Sequence, residues 1–405
     1  MNKNVDKVSV WCIVSMASIP LVMTLGNSML IPVLPILESK VGISSFQSSM
    51  IITSYSIAAI FLMPVVGYLS DRLGRKKVIL PSLVLALIGG LIAGFASWKM
   101  EDPFTWIIIG RVLQGIGASG AMPIVLPLVG DLYKDDDEKT SSCLGIIETS
   151  NTFGKVLSPI LGSVFAAFLW FLPFFAISVF SLISIVLIFF FIKAPKEKDE
   201  PKKFKEFLQN TKKTFKKEGK WLLSVFLLGF FAMLVLFAVL FFLSENLESV
   251  HDIKGITKGF VIAIPLFLLC IVSFITGRKI KGNLPTMRKV IIVCLIALSA
   301  SIIFVGFTSK KLTLLLIVTS IAGMAIGALM PILDAIITQN IKKEERGTIT
   351  SFYSSSRFAG VAAGPPIMSL MMKDFLNIGY ISAGVLGVVL LFIVMKCIKV
   401  DEIEN

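Results

Sequence analysis

Twelve apolar runs, each about as long as a bilayer is thick, fill this 405-residue chain and leave it few ways to fold. They lie near 10–33, 46–69, 78–98, 106–130, 143–168, 170–192, 221–243, 257–276, 289–307, 312–338, 349–372 and 379–398. The hydrocarbon layer is about 30 Å thick and a helix rises about 1.5 Å per residue, so roughly 20 apolar residues cross it once. Lipid offers no partner to an unpaired backbone group, so segments of this length must cross as helices. A soluble core cannot absorb so many apolar residues, 55% of the chain, spread evenly along its length. The expected fold class is therefore an all-α integral membrane protein with twelve transmembrane helices. The first run is too long to be the apolar part of a cleaved signal peptide.

One connection stands apart from the short loops. Residues 193–220 form a lysine-dense stretch that divides the chain into two sets of six runs. The division predicts an N-terminal six-helix bundle over 1–192, a basic cytoplasmic linker over 193–220 and a C-terminal six-helix bundle over 221–405. Within the linker Phe204, Phe207, Leu208 and Phe215 recur between lysines, the pattern of an amphipathic helix on an anionic leaflet. Basic residues of short loops stay on the cytoplasmic side. With both termini cytoplasmic, the inner loops collect Arg72, Arg75, Lys76, Lys77, the linker lysines, Arg278, Arg288 and Arg346. The outer loops keep only a few, such as Lys40, Lys254 and Lys258. The same bias accounts for the net charge of +13 without nucleic acid. The expected location is the cell membrane, as a multi-pass protein surrounded by lipid.

The two halves echo each other. Ala121-Met122-Pro123-Ile124 recurs as Leu329-Met330-Pro331-Ile332, Ser158-Pro159 as Gly364-Pro365, and Gly154 as Gly360. A repeat of half the chain length in a twelve-span protein implies two bundles related by a pseudo-two-fold axis along the membrane normal. Substrate then binds near the midplane, between the bundles.

Between the second and third runs stands Gly67-Tyr-Leu-Ser-Asp71-Arg72-Leu-Gly74-Arg75-Lys76-Lys77. The spacing resembles the loop signature of the major facilitator superfamily. Gly26-Asn27-Ser28 through Pro35 is similar to the first-span signature of its twelve-span drug:proton antiporter branch, of multidrug efflux type. Arg111-Val-Leu-Gln114-Gly115-Ile-Gly117 resembles a motif of proton-coupled members. Gly154-Lys-Val-Leu-Ser158-Pro159-Ile-Leu-Gly162-Ser163 resembles the antiporter motif, with serines at 158 and 163 where glycines are usual. The resemblance implies a gating loop of Gly67, Asp71, Arg72, Gly74, Arg75 and Lys76. Asp131, near the inner end of the fourth run, is read as the gate partner of Arg75.

Ionisable groups inside hydrocarbon are expensive and mark function. Those within the runs are Arg111, Glu148, Lys155, Asp334 and Arg357. At 100° per residue Glu148, Asn151, Lys155 and Pro159 share one helix face, Gly327, Pro331, Asp334 and Thr338 a second, and Tyr353, Arg357 and Gly360 a third. Such stripes predict a polar cavity lined by Asn27, Arg111, Gln114, Asn151, Lys155 and Arg357. Coupling to a proton needs a carboxylate whose proton affinity changes with conformation, and Asp334 and Glu148 are the deep candidates. Their expected static partners are Arg357 for Asp334, and Lys155 or Arg111 for Glu148. The phenylalanines crowding the sixth and seventh runs wall a pocket, face lipid or pack helices.

No phosphate-binding loop and no nucleophile–base constellation is present in the sequence. The five cysteines have neither metal-ligand nor disulfide spacing. No enzyme activity, metal or cofactor is expected. The reading is a monomeric secondary carrier that exports a lipophilic or cationic small molecule, such as a drug, in exchange for protons. Antibiotic resistance would follow from such export. A proton-coupled importer or facilitator of a polar solute, and a lipid or lipid-precursor flippase, are the alternatives on the same fold.

Overall fold

The computed structural model describes residues 10–133, 137–192, 204–279, 284–341, 343–374 and 384–393, and among these every regular element is a helix. In order they are α1 (Val10–Ser28), a 3-10 turn (Ile31–Val33), α2 (Leu34–Val41), α3 (Ser45–Leu73), α4 (Arg75–Lys99), α5 (Phe104–Ala121), α6 (Val125–Leu132) and α7 (Asp137–Phe168). There follow α8 (Leu172–Phe191), α9 (Phe204–Ser249), α10 (Gly255–Lys279), α11 (Leu284–Thr308), α12 (Leu312–Asn340), α13 (Lys343–Asp374) and α14 (Gly384–Ile393).

Local chemistry explains the breaks. Pro32 and Pro35 lack the N–H groups that would carry α1 onward, so the chain passes through the 3-10 turn before α2. Gly42, at φ +73°, closes α2 in the left-handed region, and Ser44 with Gln47 forms a capping box that opens α3. Pro123 divides the expected fourth run into α5 and α6 in the same way. Gly74, at φ +97°, turns the chain between α3 and α4 where a side chain would be strained.

Among the described residues nine segments are long and apolar enough to cross a bilayer: α1 with α2, α3, α4, α5 with α6, α8, α9 from Phe215, α10, α11 and α12. The chain is a multi-pass membrane protein. The expected fifth and eleventh runs are α7 and α13, each 32 residues long. They fall short in apolarity because they carry the polar stripes. The twelfth run is described only as α14.

Two boundaries differ from expectation. The linker and the seventh run are not separated by a helix end, because α9 continues from Phe204 to Ser249. Residues 193–203 and the side chains of Phe204, Phe207 and Leu208 lie outside what is described. Phe215 meets the rings of Phe226 and Phe352 edge-on at 5.8 Å each, so it packs on protein. The same helix also outlasts its apolar run by about a turn and a half, and takes Glu245 and Glu248 with it.

Packing groups the helices by halves of the chain. α4 lies against α5 and α8, α3 against α5, and α1 against α7 and α8, while α9 packs on α13, and α10 and α11 pack on α12. Close approach depends on glycine: a Cβ at Gly89 would stand 2.4 Å from the Gly110 carbonyl oxygen. The halves meet along α3–α13 and α7–α10. Thr53 Oγ1 donates to the Ala362 carbonyl at 2.8 Å and Ser355 Oγ to that of Ile60 at 3.0 Å across the first seam. The phenylalanines divide by position, and Phe174 on α8 is buried. Phe189 and Phe190 on α8 point outward, whereas Phe231, Phe241 and Phe242 on α9 are buried in packing.

Candidate functional site

Four charged side chains from α7, α12 and α13 come within electrostatic reach of one another at the centre of the molecule: Glu148, Lys155, Asp334 and Arg357. Pro331 lies one turn before Asp334 on α12. Arg357 reaches Asp334 from α13, donating from Nη1 to Oδ1 at 3.4 Å. The Asp334 side chain keeps 34% of its surface open, so this pair is not sealed in the core. The guanidinium also sits over the ring of Tyr353, 5.5 Å from its centroid.

Glu148 is held differently. Thr24 on α1 donates its hydroxyl to Asn151 Oδ1 at 2.6 Å, and this orients the amide so that Nδ2 points back to Glu148 at 3.3 and 3.5 Å. Three residues along a helix bring Asn151 over Glu148. Lys155, one turn further, donates no hydrogen bond and forms no ion pair within 4.0 Å among the described residues. It lines a pocket between the halves with Ser28, Ile31, Pro159, Leu236, Phe237, Leu240, Ile262 and Leu266.

Arg111 is fully buried, but apart from this group. Its Nε donates to the Ile51 carbonyl at 2.8 Å, and its Nη1 to the Gly26 carbonyl at 2.7 Å and Gln114 Oε1 at 2.6 Å. It stacks on Tyr55 at 4.6 Å. The expectation that Arg111 balances Glu148 is therefore not met. Carbonyls at the C-terminal end of α1 have no helical donors, and a guanidinium satisfies them. Arg111 Nη2, Gln114 Nε2 and Asn27 Oδ1 remain buried without partners.

The antiporter-like stretch serves close packing. A Cβ at Gly162 would stand 2.0 Å from the Met29 carbonyl oxygen, and one at Gly154 would touch Leu21 and Thr24 at 3.3 Å. Ser158 turns its hydroxyl onto the Gly154 carbonyl at 2.7 Å, filling the space a glycine would leave with a self-satisfied group. Pro159 and Ser163 meet Gly259 of α10, where a Cβ would stand 2.4 Å from the Pro159 carbonyl oxygen.

At the Gly74 end, Arg75 Nε meets Asp131 Oδ2 at 3.0 Å and Nη1 meets Ser70 Oγ at 2.7 Å. Lys76 donates to the Phe189 and Ile192 carbonyls at 2.8 and 2.7 Å and so caps α8. Gly67 faces α13: its Cβ would meet Ser351 Oγ at 3.1 Å. Arg72 is exposed, and the side chain of Asp71 lies outside the described residues.

A second charged group escaped the sequence reading. At the opposite end Ser45 and Ser48 on α3 donate to Glu38 at 2.8 and 2.5 Å, and the Glu245 carboxyl from α9 lies against Glu38. Lys258, expected in an outer loop, is 1% exposed and pairs with Glu248 at 2.7 Å. Ser244 Oγ donates to the Ile31 carbonyl at 3.0 Å beside them. Hydropathy ended the seventh run before Glu245. The helical spacing of Ser244, Leu247 and Glu248 was the signal that the helix continues.

A multi-pass chain whose described elements are all helices, and whose charges converge on a seam between its halves, has the makings of a membrane transporter. The chain belongs to the major facilitator superfamily, whose family model matches residues 16–287 and 286–405. It is 47% identical over 393 residues to the bacillibactin exporter of Bacillus subtilis, covering 97% of this chain and 98% of that protein. Multidrug resistance protein 2 of the same organism is 24% identical, with 96% and 95% covered. Among solved structures, the human organic anion transporter MFSD10 (TETRAN) superposes with a TM-score of 0.75 at 18% identity, covering 95% of this chain and 99% of that one. The protein is thus a transporter with exporter-type relatives, not an enzyme.

Proposed function

We propose that this chain is an efflux carrier that exchanges protons for an outgoing amphiphilic molecule, bacillibactin or a compound handled like it. The observation that carries the direction of transport is the full-length relationship to the bacillibactin exporter. In this reading twelve spans form two six-helix bundles, 1–192 and 221–405, joined by the basic segment 193–220. They rock about the α3–α13 and α7–α10 seams, and one monomer holds the whole pathway. Both termini are cytoplasmic and the protein sits in the cell membrane. The Gly74 end is then cytoplasmic, with Arg75 and Asp131 belonging to its gate.

The Asp334–Arg357 pair supports proton coupling. A carboxylate beside a guanidinium favours ionisation, and one that loses the guanidinium inside a bundle favours a proton. Rocking of the halves would move α7, with Lys155 and Glu148, relative to Asp334 and Arg357, so the charge around Asp334 and its hold on a proton follow the conformational cycle. Glu148, held by Asn151, is the second carboxylate in reach.

Inside-out vesicles with an imposed pH gradient test the reading. Bacillibactin and amphiphilic dyes should accumulate when the lumen is acidic, and the accumulation should collapse with a protonophore. Accumulation only under the opposite gradient would make the chain an importer, and none under either would remove the transport reading.

A further inference from the structure

We infer that Lys155 and the apolar pocket it lines form a binding site for the anionic group of an amphiphilic substrate. The inference rests on the transport reading and revises the expectation of a cationic one. An ammonium carries three donors, and inside a protein it is costly unless acceptors meet them. Of the four central charges, Asp334 is engaged by Arg357 and Glu148 by Asn151, whereas Lys155 makes no hydrogen bond among the described residues. Its donors are therefore free for an incoming acceptor.

The backbone adds to this. Pro159 follows Lys155 by one turn of α7 and has no N–H, so the Lys155 carbonyl lacks its helical donor. One residue thus presents an unpaired cation and a carbonyl relieved of its i+4 bond, one per half of a hydroxy acid or amide. The rest of the pocket is apolar, with Phe237 and Leu240 of α9 and Ile262 of α10 opposite the lysine, and Ser28 the one hydroxyl. This wall suits an aromatic or aliphatic body. The pocket is narrow in this conformation and lies between helices of opposite halves, so it widens as those halves part.

The test uses two xanthene dyes of matched skeleton, fluorescein as the anion and rhodamine 123 as the cation. Binding is followed by fluorescence anisotropy with the full chain in lipid nanodiscs. The parent should bind fluorescein more tightly than rhodamine 123. Lys155→Met should weaken fluorescein by about tenfold or more, as expected for a lost charge-assisted hydrogen bond, and leave rhodamine 123 unweakened. Lys155→Arg should restore fluorescein to within a few-fold. A parent that prefers rhodamine 123, or a Met variant that binds fluorescein like the parent, would overturn the site. Equal loss of both dyes, with a lowered melting temperature, would assign Lys155 to packing instead. Lys155-dependent binding without outward movement of fluorescein in proteoliposomes would sink the efflux reading and leave this site standing.

Discussion

Arg75 and Asp131, 56 residues apart, meet at 3.0 Å and join the start of α4 to the end of α6. The arginine is nearly buried and the aspartate partly open, so solvent screens the pair on one side only. Alanine at either position should slow transport while insertion into the membrane stays normal. A double-mutant cycle on transport rate should return a coupling of about 1 kcal/mol, since each single change already removes the shared contact. Additive losses would mean that the contact does not operate during transport.

Gly162 has no room for a side chain, with the Met29 carbonyl oxygen 2.0 Å from where a Cβ would stand. Gly162→Val should force α7 away from the end of α1 and cost about 1–3 kcal/mol. A thermal melt in detergent would register this as a clear drop in midpoint. An unchanged midpoint would show that the helices part without penalty.

Lys258 lies buried against Glu248, with Glu245 and Glu38 near by. Lys258→Met should leave these carboxylates without their cation and destabilise the fold by on the order of 3 kcal/mol. Adding Glu248→Gln should recover part of the loss by removing the stranded charge. If the double variant melts below the single one, the glutamate has another cation and the pairing is secondary.

Asp334→Asn keeps the shape of the side chain and removes its titration. Counterflow exchange of substrate across vesicles should persist, while gradient-driven accumulation should fall by at least about tenfold, the size of effect expected when a coupling group is lost. Full uphill transport by the Asn variant would move the coupling role to Glu148 or end the proton reading at this site.

The central charges were legible because an ionisable residue in a long apolar run has few innocent explanations. Asp334 with Arg357 was expected from two stripes, and the structure brings the pair together. Arg111 was equally visible, yet besides Gln114 its partners are backbone carbonyls of Gly26 and Ile51 that no side-chain pattern announces. Lys258 was misplaced and Glu245 passed over because each sits at the edge of an apolar run. A hydropathy window there averages the charge with its loop neighbours, whereas helix α9 continues regardless.

Hydropathy along the chain determined by itself that this protein lives in a bilayer as helices, since that depends only on summing transfer costs over about 20 neighbouring residues. The loop from Gly67 to Lys77 determined the family, because a turn at Gly74 and charges around it are local features. Only the tertiary structure decided which charges are satisfied and which are left free. Glu148, seven residues from Lys155, is taken by an amide that Thr24 orients from another helix, and Asp334 by an arginine from a third. Lys155 stays open for a physical reason: partners inside a bundle are assigned by the rotation and approach of packed helices, which no single segment encodes.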